Sequence, residues 1–142
     1  MQLEQLMAQR KSARKYLDKQ VARRDIEDVV QCAGMAPSAI NLQPWEYVVT
    51  YGEEKDRLVR RLEKIHAQRK ISCGPGTDKP LPEAFAYRSR KAVKVMAPRI
   101  AETGMAFNDF IEQGSCSFYG APVAVIVAMD RIFPDIRLLD VG

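Results

Sequence analysis

Residues suited to metal binding or thiol chemistry are scarce in this chain. Its 142 residues include one histidine, His66, and three cysteines, Cys32, Cys73 and Cys116. The cysteines are far apart, odd in number and never spaced C-x-x-C, which disfavours a zinc site or a disulfide framework. Cys32 falls in an apolar helical run and reads as core. Spacing alone leaves a Cys–His catalytic pair open, but no other residue points to one. No apolar stretch reaches the length of about 18 residues that a membrane span needs. Met1 to Leu6 is too polar for the hydrophobic part of a secretory leader. A soluble, cytoplasmic protein with no membrane partner is therefore expected. Internal repeats and low-complexity tracts are also absent.

Apolar residues make up 46% of the chain, enough for a packed core, and the length suits a single domain over residues 1–142. The net charge is +4. That balance favours an anionic partner, either nucleic acid or a phosphorylated cofactor.

Residues 2–9 read as a short helix with Leu3, Leu6 and Met7 on one face. Residues 24–35 read as a second, with Asp25 in its first turn and Ile26, Val29, Val30 and Ala33 as its apolar stripe. Pro37 should stop it. Glu46 to Tyr51 is β-branched and aromatic, hence a strand. Residues 53–69 form a charged amphipathic helix with Leu58, Leu62 and Ile65 inward. Gly74-Pro75-Gly76 and Pro80 mark a break. A basic helix is predicted over 82–97, interrupted by Pro98, then a further helix to about 113 that Gly114 ends. Pro122 to Met129 is a nearly continuous apolar strand, expected to be buried on both faces. Pro134 and Asp135 suit another helix start. Two strands alone make a poor sheet, which suggests that further strands come from elsewhere.

Three segments carry chemistry. In Arg10-Lys11-Ser12-Ala13-Arg14, long cations surround a hydroxyl, a pattern able to wrap a phosphate through guanidinium forks and a serine bond. Taken alone it reads more readily as a solvated basic face. In Ala36-Pro37-Ser38-Ala39-Ile40-Asn41-Leu42-Gln43-Pro44-Trp45, two prolines stiffen a helix-to-strand loop. Ser38, Asn41 and Gln43 then offer donors and acceptors suited to a planar heterocycle, or simply cap a tight connection. Phe118-Tyr119-Gly120-Ala121-Pro122 leads into the apolar strand and alone is only a turn before it.

Together, and in this order, the three segments resemble the nitroreductase family, whose N-terminal half carries R-x-S-x-R-x-[FY], then A-P-S-x-x-N-x-Q-P-W, then F-[FY]-G-A-P-V. The middle motif is the specific one, and the resemblance runs along essentially the whole chain. It implies an α+β nitroreductase-like fold, with helices around a mostly antiparallel sheet. It also implies FMN held without a covalent bond at a homodimer interface. Carried over, Arg10, Lys11, Ser12 and Arg14 would grip the phosphate, the ribityl chain and the pyrimidine edge. Arg14 is the candidate cation beside flavin N1 and O2, where negative charge develops on reduction. Pro37, Ser38, Ala39 and Asn41, and less directly Gln43, match the loop that reaches the flavin of the other subunit. Ala39 stands where a serine is common, so only its backbone is offered there.

The implied reaction is ping-pong. NADH or NADPH delivers hydride, and a nitroaromatic, quinone or activated enone then takes its place. No side chain is assigned an acid–base role. Phe85, Tyr87 and Arg88, within a possible lid or insert over 70–113, are candidate pocket residues. Leu139-Asp140-Val141-Gly142 matches the D-[VLI]-G that opens a long central helix in the family, so the chain is expected to be a C-terminally truncated form of the domain. Three rivals stand beside this reading, one of them within the fold, the dehalogenation or flavin-cleaving chemistry that related branches of the family perform. Another is a flavin-binding module without turnover. The third is a nucleic-acid interface using Arg57, Arg60, Arg61, Lys64, Arg69 and Lys70, against which the interspersed Glu53, Glu54, Asp56 and Glu63 favour a solvated helix face.

Overall fold

The structure, a computed structural model, describes residues 2–69 and 79–141. Lys70, Cys73 and the Gly74-Pro75-Gly76 break lie outside the described residues. Six α-helices and two strands are present among them: α1 Leu3–Gln9, α2 Arg23–Ala33, β1 Trp45–Tyr51, α3 Gly52–Arg69, α4 Glu83–Ala101, α5 Phe107–Cys116, β2 Val123–Met129 and α6 Leu138–Val141. They fall into two compact units. One contains Met1–Tyr16 and Val59–Gly120, the other Leu17–Leu58 and Ala121–Gly142.

In the second unit, β1 and β2 pair antiparallel, Trp45 opposite Met129 and Tyr51 opposite Val123. The antiparallel sheet expected from the sequence is therefore present, as two strands among the described residues. The expectation that β2 is buried on both faces is not met. Ala124 is buried, but Val125 and Val127 are each 43% exposed. An unbroken apolar run records only what a strand can cover, and here one side of the pleat keeps solvent contact. On α2 the apolar stripe narrows to Ile26 and Val30, both half-buried, while Val29 and Ala33 are exposed. Cys32, expected in the core, is exposed. Two residues beyond Val30, it points to the opposite side of the helix from the buried stripe.

In the first unit, α4 continues through Pro98, where an interruption was expected. Val93, Met96 and Ala97 are half-buried and Ile100 is buried. That i, i+3, i+4, i+7 stripe runs across the proline and packs on both sides of it, which offsets the one backbone hydrogen bond that proline lacks. Gly114 does not end its helix either, because α5 runs on to Cys116. A Cβ at Gly114 would lie 2.2 Å from the Tyr119 ring, so this glycine is a space requirement inside a helix. No helix among the described residues is long and apolar enough to cross a membrane.

Candidate functional site

The basic segment begins where α1 stops. Arg10 is extended, with φ −60° and ψ 127°, and residues 11–22 form neither helix nor strand. Its internal contacts are long. The Arg10 guanidinium donates to Ser12 Oγ at 3.4 Å and Arg14 donates to the Ser12 carbonyl at 3.5 Å. Bonds of that length on exposed groups hold little. Among the described residues, no carboxylate pairs with Arg10, Lys11 or Arg14. Three uncompensated cations around a hydroxyl suit a phosphate monoester, whose oxygens accept forked bonds from arginine and a short one from serine. Arg14 differs from its neighbours in being half-buried. Its guanidinium carbon lies 6.0 Å from the centre of the Tyr119 ring.

The Pro37–Gln43 loop is built in another way. Ser38 Oγ accepts the Gln43 backbone N–H at 2.9 Å, closing the loop on itself. Gln43 Nε2 reaches back to the Gly34 carbonyl at 3.5 Å. Ile40, Asn41 and Gln43 all have positive φ, at 47°, 57° and 45°. Asparagine tolerates that region, whereas a β-branched residue there is strained. The Ala39 N–H donates to Asp140 Oδ1 at 3.4 Å, and Asp140 is in turn held by Arg137 at 3.2 Å. The Asn41 side chain is exposed. It remains available as both donor and acceptor. The backbone contact expected of Ala39 would have to compete with Asp140.

The candidate pocket residues lie on the first turns of α4. Phe85 and Tyr87 are 54% and 60% exposed. The Arg88 guanidinium sits over the Phe85 ring at 5.5 Å, and Arg90 pairs with Glu83. Arg10, Lys11, Ser12, Arg14, Phe85, Tyr87 and Arg88 thus belong to one compact unit, and Pro37, Ser38, Ala39, Asn41 and Gln43 to the other.

A cavity of about 1000 Å³ in the second unit is lined by none of the anticipated site residues; Ile26, Val30, Val49 and Lys55 are among its walls. Its two cations are matched internally. Arg23 donates to Glu27 at 2.6 Å, a hydrogen bond that holds its pKa above the ordinary value. Lys55 donates to the Ala121 carbonyl at 2.9 Å and lies 3.7 Å from Asp56. Nothing there seeks an anion, unlike the basic segment. Arg57 on α3 pairs with Glu54, in keeping with a solvated helix face.

Three features were not anticipated from the sequence: the Arg137–Asp140 brace, the Lys55 anchor on Ala121, and Tyr119 beneath Arg14. Arg137 and Asp140 are only three positions apart, but the bond from Asp140 to Ala39 and the Lys55 anchor on Ala121 span 101 and 66 positions, with no local pattern to announce them. The third had a signal, an aromatic residue before a glycine in one of the three motifs.

The model of the nitroreductase family matches residues 7–137. The chain belongs to the nitroreductase family. It is 32% identical, over 141 residues, to a 4-nitrobenzoate reductase of Nocardioides sp. (strain LMS-CY), an alignment covering 94% of this chain and 57% of that protein. In structure it is similar to the FMN and NADPH-dependent nitroreductase NfnB from Sphigopyxis sp. strain HMH, with a TM-score of 0.78, 25% identity, and coverage of 100% of this chain and 66% of the other. It is also similar to the FMN-dependent nitroreductase NfnB from Mycobacterium smegmatis, solved in complex with NADPH, with a TM-score of 0.69 at 27% identity over 96% of this chain and 63% of that one. This nitroreductase-family chain spans less than two thirds of the curated relatives it matches, 57%, 59% and 61% of three of them. The α+β fold expected from the three motifs is the fold of these neighbours.

Proposed function

We propose that this chain carries the FMN-gripping motifs of an oxidoreductase that oxidises NADH or NADPH and reduces a nitroaromatic, quinone or similar small acceptor. The observation that supports this best is the uncompensated trio Arg10, Lys11 and Arg14 around Ser12, in a chain whose solved relatives are FMN-dependent. When bound, FMN supplies the hydride-accepting and hydride-donating centre. The chain's own residues bind and polarise. Arg10, Lys11 and Ser12 hold the phosphate and ribityl oxygens. Arg14 places positive charge against the pyrimidine edge, where negative charge develops. The loop of Pro37, Ser38, Ala39 and Asn41, steadied by Gln43, presents amide donors and acceptors to the heterocycle of a second subunit. Phe85, Tyr87 and Arg88 line the acceptor side.

The family resemblance puts FMN at a homodimer interface, with the basic segment from one subunit and the loop from the other. We read residues 1–142 as one nitroreductase-like domain, or the N-terminal part of one. Dependence on NADH or NADPH fits a cytoplasmic site. The test is the colour of the purified protein. A yellow, FMN-containing chain, or one that takes up added FMN, whose visible flavin absorbance bleaches on adding NADH or NADPH, supports the reading. A chain that neither carries nor takes up FMN overturns it. A yellow chain that neither nucleotide bleaches leaves a flavin-binding module in place of an oxidoreductase.

A further inference from the structure

Tyr119 occupies a position the chain goes to some trouble to create. Phe118, Tyr119 and Gly120 form a turn in which all three φ angles are positive, at 52°, 53° and 74°. For two aromatic residues that conformation is costly, and it persists only where the surroundings dictate it. The surroundings here are specific. The Tyr119 ring lies against Gly114, where a Cβ would stand 2.2 Å from it, so the helix leaves out a side chain to admit the ring. Its other neighbour is Phe110, with centroids 5.7 Å apart and planes tilted by 48°. The hydroxyl lies 3.4 Å from both the Ile111 carbonyl and Ser115 Oγ. The ring is thereby seated on α5 by packing against Gly114 and Phe110, with only long hydroxyl contacts, and what the ring carries is the Arg14 guanidinium, 6.0 Å from its centre. Arg14 in turn donates to the Ser12 carbonyl. Within the basic segment, Arg14 alone combines half-burial with an aromatic support.

We infer that Tyr119 is a positioning residue for Arg14. Its ring face holds the guanidinium in place by cation–π attraction, so that the otherwise loosely held Arg10–Arg14 segment meets the cofactor with one cation already aimed. The inference rests on the proposed role of Arg14 in gripping FMN and adds to it the residue that aims the grip. The strain at Phe118 and Tyr119 then has a use: a left-handed turn after α5 is what turns the ring towards the N-terminal segment.

The test is FMN affinity, measured by fluorescence titration of the purified chain. Arg14→Ala should weaken binding about ten-fold or more, as expected for loss of a charge-assisted bond. Tyr119→Leu should weaken it about two- to five-fold, the size of an exposed cation–π contact, and Tyr119→Phe should stay within about two-fold because the ring face is kept. The double variant Arg14→Ala with Tyr119→Leu should bind no more weakly than Arg14→Ala alone. If the two losses instead multiply, Tyr119 acts independently of Arg14 and the inference is overturned. It is likewise overturned if Tyr119→Phe binds as weakly as Tyr119→Leu, since the hydroxyl bonds would then matter and not the ring face. Because Tyr119→Leu also disturbs packing on Phe110 and Gly114, a second series places phenylalanines of rising fluorine content at position 119. Shape is kept while the ring face loses its negative character. Dissociation constants should climb along the series, and a flat series overturns the inference. An Arg14→Ala chain that binds FMN as well as the parent would remove the proposed function's grip itself. That outcome is distinct from a weakened Arg14→Ala beside an unaffected Tyr119→Leu, which removes only the role of Tyr119.

Discussion

Between Arg10 and Arg14 the chain holds itself by hydrogen bonds of 3.4 and 3.5 Å, and only Arg14 is half-buried, against the Tyr119 ring. Between Ser38 and Gln43 a 2.9 Å bond closes the loop, three residues with positive φ set its path, and the Arg137–Asp140 pair ties it from outside. In the proposed function both segments serve the same ligand, yet the loop is closed on itself without that ligand and the basic segment is not. The physical reason is charge. Three cations cannot be packed against one another without a counter-ion, so a segment of this charge, if it is the phosphate grip proposed above, stays loose until a phosphate completes it. A loop of neutral amides and hydroxyls has no such conflict and can satisfy its own backbone in advance. Pre-ordering lowers the entropy cost of binding at the loop, while the basic segment supplies the attraction.

The comparison breaks most readily at Asp140. Asp140→Ala removes the acceptor of the Ala39 N–H and leaves Arg137, whose side chain is 22% exposed, without its carboxylate. A partly buried charge left alone costs about 1–2 kcal/mol after allowing for its remaining solvent contact. The expected outcome is a clear drop in the denaturation midpoint of the FMN-free chain. An unchanged midpoint would mean that the loop is not braced from outside.

The next largest effect lies on the other segment and has the opposite signature. Arg10 has no carboxylate partner among the described residues and is exposed, so Arg10→Ala should leave the melting of the FMN-free chain where it is. FMN affinity should fall about ten-fold, the lower end for a charge-assisted hydrogen bond. The parent's affinity should also fall between about 0.1 M and 1 M salt, as the screening length contracts from about 10 Å to about 3 Å. Arg10→Ala should show a shallower fall. Equal salt slopes in the two proteins would place the phosphate elsewhere.

Much of this contrast was legible in the sequence. The motif Ser38-x-x-Asn41-x-Gln43 between prolines announces a stiff polar loop, and Arg10 to Arg14 announces unmatched charge. Helix and strand positions followed from apolar spacing, because periodicity reports directly on which side is covered. What spacing could not carry was contact between distant segments. Asp140 reaches Ala39 across 101 positions, and no local pattern encodes that. Pro98 and Gly114 misled for a related reason. Each was read as punctuation by its intrinsic preference, but the stripe from Val93 to Ile100 and the ring of Tyr119 decide their roles through packing.

The smallest expected effect sharpens the comparison from the side of strain. Ile40 is 89% exposed with φ 47°, so it contributes no burial and sits where a β-branched residue is disfavoured. Replacing it with glycine relieves about 1–2 kcal/mol of left-handed strain. Glycine also enlarges the freedom of the unfolded chain, which costs about 0.5–1 kcal/mol. The difference favours Ile40→Gly by about 0.5 kcal/mol, enough to raise the denaturation midpoint slightly. FMN affinity should nevertheless fall, because the loop would no longer be held on one path before binding. A variant that is both more stable and a better FMN binder would show that the strain at Ile40 does not serve the ligand. The loop would then differ from the basic segment only in having its polar groups satisfied.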